Sequence, residues 1–238
     1  MALSSESILL AGATGLVGAR TLRRLLANAH FTGTVIAPTR RALQISDSRL
    51  VCLETDFSPA PGDVGIADAL RLRSQPGLAA FVSCLGTTIK SAGSREAFIA
   101  VDRELVLRLA QTAFECGARH AIVVSSVGAS RQSGNFYLRV KGEVEDALAK
   151  IGFDRLDILQ PGLLLGERSE RRPGEALAQV LAPLVNPAMW GKLRRYRAID
   201  ADDVAAAIVR LLELASPGHF VHLHDSIREL SGGRSQLT

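Results

Sequence analysis

The hydrophobic positions of this chain form short continuous runs that alternate with longer amphipathic stretches. A run of four to six apolar residues is too short for a helix and is typical of a strand that is buried on both faces. Such runs predict six strands, at residues 8–11, 33–37, 50–53, 78–83, 121–124 and 156–159. Stretches with a helical period predict helices at residues 64–72, 97–116, 135–150 and 202–214, and a further helix after the first strand with Leu22, Leu25 and Leu26 on one face. Strands that alternate with helices predict an α/β fold, a doubly wound parallel sheet of the Rossmann type.

The length and the end of the chain indicate how this fold is organised. A chain of 238 residues is ordinary for one α/β domain, so we expect a single domain over residues 1–225. Residues 166–198 are irregular and rich in arginine and proline, which predicts a small segment that covers the substrate. Residues 220–224 predict a last strand with Val221 towards the core and His222 on a polar edge face, so we expect no metal site there. The polar residues 226–238 predict a flexible tail.

Composition narrows the class of protein. The three cysteines are far apart and form no pair with zinc spacing. The first ten residues contain an acidic residue and no basic one, and no run of about 18 apolar residues exists, so we expect neither a signal peptide nor a membrane span. These features favour a cytoplasmic protein. The net charge of +4 could suit either nucleic acid or only an anionic cofactor and substrate. Because aromatic residues make up only 5%, we expect no nucleic-acid partner.

Three glycines follow the first strand at intervals of three residues and lead into the first helix. Glycines at this point permit a tight turn, and the helix N-terminus offers unpaired N–H groups to a pyrophosphate. The residues predicted to bind the cofactor in this turn are Gly12, Thr14, Gly15, Leu16, Val17 and Gly18. In a strand–turn–helix context the spacing favours a dinucleotide site, and the alternative is a turn that binds no nucleotide.

The loop after the second strand indicates which dinucleotide is bound. An NAD site normally has an acidic residue here for the ribose hydroxyl, but the chain has no Asp or Glu between Glu6 and Asp47. Thr39, Arg40 and Arg41 stand there instead and suit a 2′-phosphate through charge-assisted hydrogen bonds. We therefore predict NADP(H), with NAD(H) less favoured. The alternative is a solvated loop that carries two arginines.

Two further strand ends supply candidate cofactor contacts, because ligands of an open α/β sheet lie at the carboxyl ends of its strands. Asp56 and Phe57 follow the third strand, where Asp56 is expected either near the adenine or as a cap of the next turn. Leu85, Gly86 and Thr87 follow the fourth strand and form a small loop that would fit against a cofactor. The alternative for this loop is a plain turn.

Tyr137 and Lys141 form a Tyr-x-x-x-Lys pair on a predicted helix, where residues four apart share a face. A phenol becomes a useful base near neutral pH only when a nearby cation stabilises the phenolate, which Lys141 and a bound nicotinamide would provide. Ser125 stands at a strand end twelve residues earlier and would hydrogen-bond the reacting oxygen, with Ser126 as the second choice. Taken alone the pair occurs by chance in many helices. Together with the glycine turn it predicts a catalytic site.

These motifs resemble the short-chain dehydrogenase/reductase superfamily, in its atypical or extended branch. Within that branch the chain is similar to the family of the animal Tat-interacting oxidoreductase and its bacterial relatives. The resemblance rests on residues 14–18, 135–145, 153–155, 160–165 and 172–175. It implies an NADPH-binding Rossmann domain with Ser125, Tyr137 and Lys141 as the catalytic triad.

The resemblance also implies two supporting features and a set of partners. Pro161 and Gly162 would lie beside the nicotinamide, and Asp102 would stand where many members have a helix residue that supports the site. The partner expected is a small carbonyl or alcohol substrate, and a homodimer is a possible assembly.

Three functions follow from these observations. The leading one is NADP-dependent hydride transfer between nicotinamide and a carbonyl or alcohol. The second is a binding module that senses NADP(H) and regulates a protein partner with little or no turnover. The third is a nucleotide-sugar epimerase-like enzyme, which is less favoured because only a short stretch of chain follows Pro161.

Overall fold

The computed structural model describes residues 7–57, 77–166 and 191–232, and in these a seven-stranded parallel sheet forms the centre of the molecule. The order across the sheet is β3-β2-β1-β4-β5-β6-β9. Its strands are β1 Ser7–Ala11, β2 Val35–Thr39, β3 Leu50–Glu54, β4 Leu78–Ser83, β5 His120–Val124, β6 Arg155–Leu159 and β9 Gly218–His222. Two short strands, β7 Leu164–Leu165 and β8 Ile199–Asp200, form a separate parallel pair. The predicted doubly wound Rossmann fold is confirmed.

Helices connect the strands and cover both faces of the sheet. They are α1 Leu16–Ala27, α2 Ile89–Ala92, α3 Arg95–Ile99, a π-helical turn Ala100–Leu105, α4 Val106–Glu115, α5 Phe136–Leu148, a 3₁₀ helix Gly191–Tyr196, α6 Ala201–Leu211 and α7 His224–Leu230. None of the helices in the described ranges is long and apolar enough to cross a membrane. The helix predicted at residues 64–72 lies outside the described residues.

Two hydrophobic layers lie on opposite faces of the sheet. On one face Ile8, Leu10 and Ile122 pack with the buried residues of α1 and α6. On the other face Leu9 and Phe81 pack with the buried residues of α4 and α5. Because adjacent residues of one strand enter different layers, both must be apolar, which explains why the strands are continuous hydrophobic runs.

The long helix predicted at residues 97–116 is interrupted in the structure. It begins as α3, where the Ser94 hydroxyl accepts a hydrogen bond from the Ala97 N–H at 3.0 Å, then opens into the π-helical turn and continues as α4. The apolar pattern indicates a helix but cannot distinguish π from α hydrogen bonding. The π-helical turn matters for the candidate site because it contains Asp102, which is fully buried. Such turns occur frequently at functional sites.

The second strand ends two residues later than predicted, and it includes Pro38. Val35 N donates to Arg49 O at 2.7 Å on the β3 side, so by the alternation of a strand the nitrogen of Pro38 faces β1. The pairing of β2 with β1 ends at Ile36, so no ladder hydrogen bond is lost at the proline. The extension brings Thr39 to the carboxyl end of the strand.

The last part of the chain differs from the sequence prediction in two ways. Val221 is 57% exposed whereas His222 is only 9% exposed, so the predicted orientation of the last strand is wrong. Residues 226–230 belong to α7, in which Ile227 is fully buried and Arg228 pairs with Asp203, so the prediction of a flexible tail is wrong for this stretch. The polar composition of this stretch predicted disorder, but contacts that form only in the folded chain hold it as a helix. Residues 233–238 lie outside the described part.

Candidate active site

The glycine turn between β1 and α1 holds its three glycines for different reasons. A Cβ atom on Gly12, which has a φ of +81°, would lie 2.7 Å from the carbonyl carbon of Cys84. On Gly18 a Cβ would lie 2.1 Å from Gly12 O. On Gly15 the nearest atom would be Gly12 O at 3.3 Å, and this residue is exposed at the N-cap of α1. Gly12 and Gly18 therefore permit the turn itself, while Gly15 leaves space in front of the helix N-terminus.

The other predicted residues of the turn divide between the surface and the core. Thr14 is exposed and Leu16 is half-buried, whereas Val17 is 5% exposed and packs in the layer formed by α1 and α6. Val17 is thus available to a ligand only through its backbone. The exposed residues and the free N–H groups of the first helical turn would fit a pyrophosphate.

Thr39, Arg40 and Arg41 stand at the end of β2, next to the end of β1. Thr39 is 3% exposed, and within the described ranges its hydroxyl oxygen has no hydrogen-bond partner. A buried hydroxyl without a partner is rare and fits a polar ligand group that completes it. Arg40 and Arg41 are exposed and extend from the same edge. These residues fit the adenosine end of a dinucleotide.

Asp56 and Phe57 form a tight turn after β3. Phe57 has a φ of +59°, its N–H donates to the Thr55 hydroxyl at 3.1 Å, and its carbonyl accepts a hydrogen bond from Arg108 Nη2 at 2.9 Å. The guanidinium on α4 thus anchors the turn, and Asp56 lies exposed within it. The position of Asp56 allows either of the two roles predicted for it.

A buried ion pair joins α5 to the π-helical turn. Lys141 Nζ lies 2.8 Å from Asp102 Oδ1, with the two side chains 6% and 0% exposed. The other carboxylate oxygen of Asp102 accepts a hydrogen bond from the Thr87 N–H at 2.8 Å. A Cβ on Gly86 would lie 3.8 Å from Asp102 Oδ1 and 3.9 Å from Lys141 Nζ. Asp102 therefore holds both the lysine and the loop after β4 in one place.

Tyr137 lies in the first turn of α5, half-buried, with its ring packed on Phe98 at 5.7 Å between centroids. Lys141 follows one helical turn later. In the part of the chain that the structure describes, no hydrogen bond joins the Tyr137 hydroxyl to Lys141 or to Ser125. The structure thus brings Lys141 to Asp102 and leaves the phenol held by ring packing.

Ser125 takes part in a second polar group, one turn further along α5. Its hydroxyl donates to Glu145 Oε1, and Gln160 Nε2 donates to both Glu145 oxygens at 3.0 and 2.9 Å. Ser125 is 8% exposed, and its N–H donates to Leu159 O at 2.8 Å. Sequence reasoning did not single out Glu145. The available signal was its spacing, four residues after Lys141.

The environment of Glu145 raises the pKa of its carboxyl group. Burial makes the largest contribution to the rise and the nearby charge of Asp146 adds to it, whereas the hydrogen bonds from Ser125 and Gln160 and the charge of Lys141 oppose it.

Pro161, Gly162 and Leu85 lie at the same carboxyl edge of the sheet. Pro161 is buried and its carbonyl accepts a hydrogen bond from the Val127 N–H at 3.0 Å. A Cβ on Gly162 would lie 2.4 Å from Arg197 O, so the chain that follows the 3₁₀ helix packs directly on this glycine. Leu85 is half-buried against the layer formed by α4 and α5. Most of the predicted substrate-covering segment lies outside the described residues, and residues 191–198 are its described end next to this edge.

Comparison with known proteins agrees with this arrangement. The model of the family described as "NAD dependent epimerase/dehydratase family" matches residues 8–137, from the first strand to the tyrosine. The chain belongs to this family. Because the family is NAD-dependent, the cofactor is a pyridine nucleotide.

Proteins from two fungi and one animal are similar over most of the chain. Protein fmp52 of Emericella nidulans is 36% identical over 176 residues, which is 74% of each protein. Protein FMP52 of Lodderomyces elongisporus is 31% identical over 98% of this chain and 96% of its own length. Protein HTATIP2 of Rattus norvegicus is 34% identical over 74% of this chain and 70% of that protein. The predicted resemblance to short-chain dehydrogenases of the Tat-interacting type is thereby confirmed.

Solved structures show the same fold at low sequence identity. A putative NAD-dependent epimerase/dehydratase from Bacillus halodurans has a TM-score of 0.66 and 20% identity, over 96% of this chain and 99% of that one. MoeE5 in complex with UDP-glucose and NAD has a TM-score of 0.65 and 15% identity, over 94% of this chain and 79% of that one.

The relatives overturn one prediction. The proteins from Emericella nidulans and Lodderomyces elongisporus are both named as mitochondrial. The prediction of a cytoplasmic protein, which rested on the expectation of neither a signal peptide nor a membrane span, is therefore wrong.

Proposed function

We propose that this protein is an NADP-dependent oxidoreductase that transfers hydride between nicotinamide and a carbonyl or alcohol substrate, with Tyr137 as the acid/base. The observation that carries the proposal is the buried Lys141–Asp102 ion pair beside the loop after β4, one helical turn from Tyr137. A buried lysine needs a compensating anion, and Asp102 supplies it and holds the ammonium group at this position.

The roles of the residues follow from their places at the carboxyl edge of the sheet. When bound, NADPH supplies the hydride. Tyr137 gives its proton to the carbonyl oxygen during reduction and takes a proton from the alcohol during oxidation. Lys141 holds the cofactor ribose and stabilises the phenolate, and Asp102 keeps the ammonium group in place. Ser125 binds the reacting oxygen.

The cofactor-binding residues complete the proposed site. The backbone of the turn around Gly15 binds the pyrophosphate, and the loop of Leu85, Gly86 and Thr87 borders the cofactor with Pro161 and Gly162. Thr39, Arg40 and Arg41 bind the 2′-phosphate, which makes NADP(H) the preferred dinucleotide. An arginine next to a phosphate gives short charge-assisted hydrogen bonds that an NAD ribose hydroxyl cannot provide.

The binding module that senses NADP(H) stays a second candidate because of one observation. The Ser125 hydroxyl already donates its proton to Glu145, which leaves it without a hydrogen for a carbonyl oxygen while that carboxylate is ionised. A screen of carbonyl compounds that follows NADPH absorbance separates the candidates. The binding module takes the lead if NADPH binds and alters association with a protein partner but no compound is reduced. Turnover of a UDP-sugar instead would indicate the epimerase-like reaction.

The catalytic role is tested by Tyr137→Phe. The change keeps the ring that packs on Phe98, so we expect the fold and the NADPH dissociation constant to be preserved. Turnover should fall by about 10²–10⁴-fold, the usual effect of losing general acid–base catalysis. Lys141→Ala should differ, because it weakens NADPH binding as well as turnover. Full turnover by Tyr137→Phe would remove the tyrosine from the mechanism.

Cofactor preference is tested by Arg40→Asp. This change removes a charge-assisted contact with the 2′-phosphate and adds repulsion, so NADPH binding should weaken by about 1.5–3 kcal/mol while NADH binding changes much less. Calorimetry with both dinucleotides measures the difference. Arg23→Asp makes the same change of charge at an exposed position of α1 and serves as the control. Equal losses for NADPH and NADH would show that Arg40 does not contact the 2′-phosphate.

A further inference from the structure

Glu145 is a partly buried carboxyl group that the proposed chemistry does not use. It lies on α5 one helical turn after Lys141 and two turns after Tyr137. Helical side chains point back towards the N-terminus, so its carboxylate extends from its own turn towards that of Lys141. Glu145 therefore belongs to the same stripe of α5 as the two residues proposed for catalysis.

The contacts of Glu145 connect this stripe to the ends of two neighbouring strands. Ser125 follows β5 and Gln160 follows β6, and both donate hydrogen bonds to the carboxylate. The backbone of Ser125 is itself fixed to β6 by its hydrogen bond to Leu159 O at 2.8 Å. Because this hydrogen bond holds the backbone of Ser125 in place, only the side chain can turn. The carboxyl group of Glu145 therefore determines how the hydroxyl is oriented.

The number of hydrogens on a hydroxyl limits what Ser125 can do. Its single hydrogen goes to Glu145 when that carboxylate is ionised, and the oxygen then offers only lone pairs to a substrate. It can accept a hydrogen bond from an alcohol but cannot donate one to a carbonyl. When Glu145 is protonated its own O–H can donate to Ser125, whose hydrogen is then free to bind a carbonyl oxygen.

The surroundings allow the carboxyl group to take either form. The side chains that face Glu145 from the two strand ends are the neutral Ser125 and Gln160. The charged groups that act on it are Lys141 and Asp146 on its own helix. The side-chain amide of Gln160 donates to both carboxylate oxygens of Glu145. When one of these oxygens is protonated, the other still accepts the hydrogen bond from Gln160.

We propose that Glu145 is a positioning residue whose protonation state determines whether Ser125 can donate a hydrogen bond to the reacting oxygen. The proposal rests on the proposed function. In reduction the carbonyl carbon takes the hydride as its C–O double bond becomes single, and the oxygen takes the proton of Tyr137. NADPH is oxidised to NADP⁺ and the carbonyl is reduced to the alcohol. Glu145 is unchanged after a full turnover. Because reduction and oxidation pass through the same transition state, the protonated form, in which Ser125 can donate to the reacting oxygen, promotes both directions.

The first test compares pH profiles of kcat/KM in both directions for the wild type, Glu145→Gln and Glu145→Ala. The glutamine amide can donate permanently to Ser125 while its oxygen accepts from Gln160, so Glu145→Gln should match the wild type in both directions at low pH. Where Glu145 of the wild type is ionised, the variant should be more active by about tenfold, roughly the effect of one hydrogen bond. Reduction by this variant should also lack the decline with rising pH that Glu145 causes in the wild type. Glu145→Ala should lose activity in both directions, because nothing then orients the serine.

Unchanged pH profiles in Glu145→Gln, or a loss of activity by this variant at every pH, would overturn the proposal. All other groups that shape these profiles are common to the wild type and the variant. The comparison therefore isolates the contribution of Glu145.

The second test needs no turnover. NMR of protein labelled with ¹³C at the glutamate carboxyl carbons follows the titration of Glu145, whose signal is assigned by its loss in Glu145→Gln. Ser125→Ala removes a donor to the ionised form, so the pKa of Glu145 should rise further. An unchanged pKa in Ser125→Ala would overturn the coupling. If the pKa rises but no carbonyl or alcohol is turned over, the proposed function fails while the coupling stands.

Discussion

Two carboxyl groups buried in this molecule, Asp157 and Glu145, have pKa values shifted in opposite directions. Asp157 lies in the middle of β6 and is completely buried, and its pKa is lowered. Glu145 lies on α5 and is partly buried, and its pKa is raised. Burial favours the neutral acid in both places, so the difference must come from the partners.

The partners of Asp157 carry positive charge or can acquire it. Arg155 donates to both of its oxygens, at 2.6 and 2.9 Å, and the Nε2 atoms of His120 and His222 each lie 2.7 Å from one of them. Burial alone would raise the pKa, but the hydrogen bonds from the two histidines and the arginine outweigh it. Glu145 receives hydrogen bonds from neutral groups and stands beside another acid, so burial prevails. The presence of a permanently charged partner such as Arg155 therefore determines whether the ionised or the neutral form of a buried carboxyl group is stable.

The comparison also separates structure from chemistry. The Asp157 group joins β5, β6 and β9, and its members satisfy one another. It therefore stabilises the edge of the sheet that β9 forms. The Glu145 group lies at the carboxyl edge of the strands, where its serine faces the candidate site. A carboxyl group that holds its charge is suited to a permanent link, whereas one with a raised pKa is suited to a change of state.

The largest effect is expected from removing the charge of Asp157. Asp157→Asn leaves the guanidinium of Arg155, whose side chain is 6% exposed, without its anion. Breaking a buried pair by removing one partner costs about 3–5 kcal/mol, and we expect a loss of this size in the free energy of unfolding measured with urea at neutral pH.

The control is an ion pair of the same type at the surface. Asp202→Asn removes the partner of Arg24, and those two side chains are 52% and 40% exposed, so the loss should stay within about 1 kcal/mol. Similar losses for the two variants would mean that the Asp157 group is no more important than a surface pair.

A second prediction concerns the stability of the wild type in acid. Because the folded pKa of Asp157 is lower than the unfolded value of about 3.9, its contribution is complete above that value and is lost as the pH falls towards the folded pKa. The difference in stability between the wild type and Asp157→Asn should therefore shrink steadily below about pH 4. Urea unfolding at several acidic pH values measures it. A constant difference would contradict the lowered pKa.

The fold was largely predictable from the sequence, because both faces of the sheet are buried. Runs such as residues 78–83 must be apolar throughout, and the structure has β4 at those residues. The prediction failed at the edge of the sheet. Val221 and His222 alternate as in any half-buried strand, but which of them points inwards depends on Asp157, more than sixty residues earlier. A pattern within the strand contains no information about that partner.

The candidate site was predictable where motifs have fixed spacing. Gly12 and Gly18 stand where the turn requires glycine, and Lys141 follows Tyr137 by one helical turn. The contact of Glu145 with Ser125 joins residues twenty positions apart on different elements, and it forms only when α5 packs on the sheet. Asp102 was indicated by family resemblance alone, since its burial depends on a π-helical turn that the apolar pattern does not reveal.

A smaller effect than that of Asp157→Asn is expected from Glu145→Gln, and its dependence on pH has the opposite sign. The folded pKa of Glu145 is higher than the unfolded value of about 4.3, so its contribution is complete below that value and is lost as the pH rises through the folded pKa. Glutamine has no charge to desolvate and can keep the hydrogen bonds with Ser125 and Gln160. At neutral pH the variant should therefore differ from the wild type by no more than about 1.5 kcal/mol, and its relative stability should increase from pH 4 to pH 8. Urea unfolding of both proteins across this range is the measurement, and a relative stability that decreases with pH would show that the ionised form of Glu145 is the one that the fold prefers.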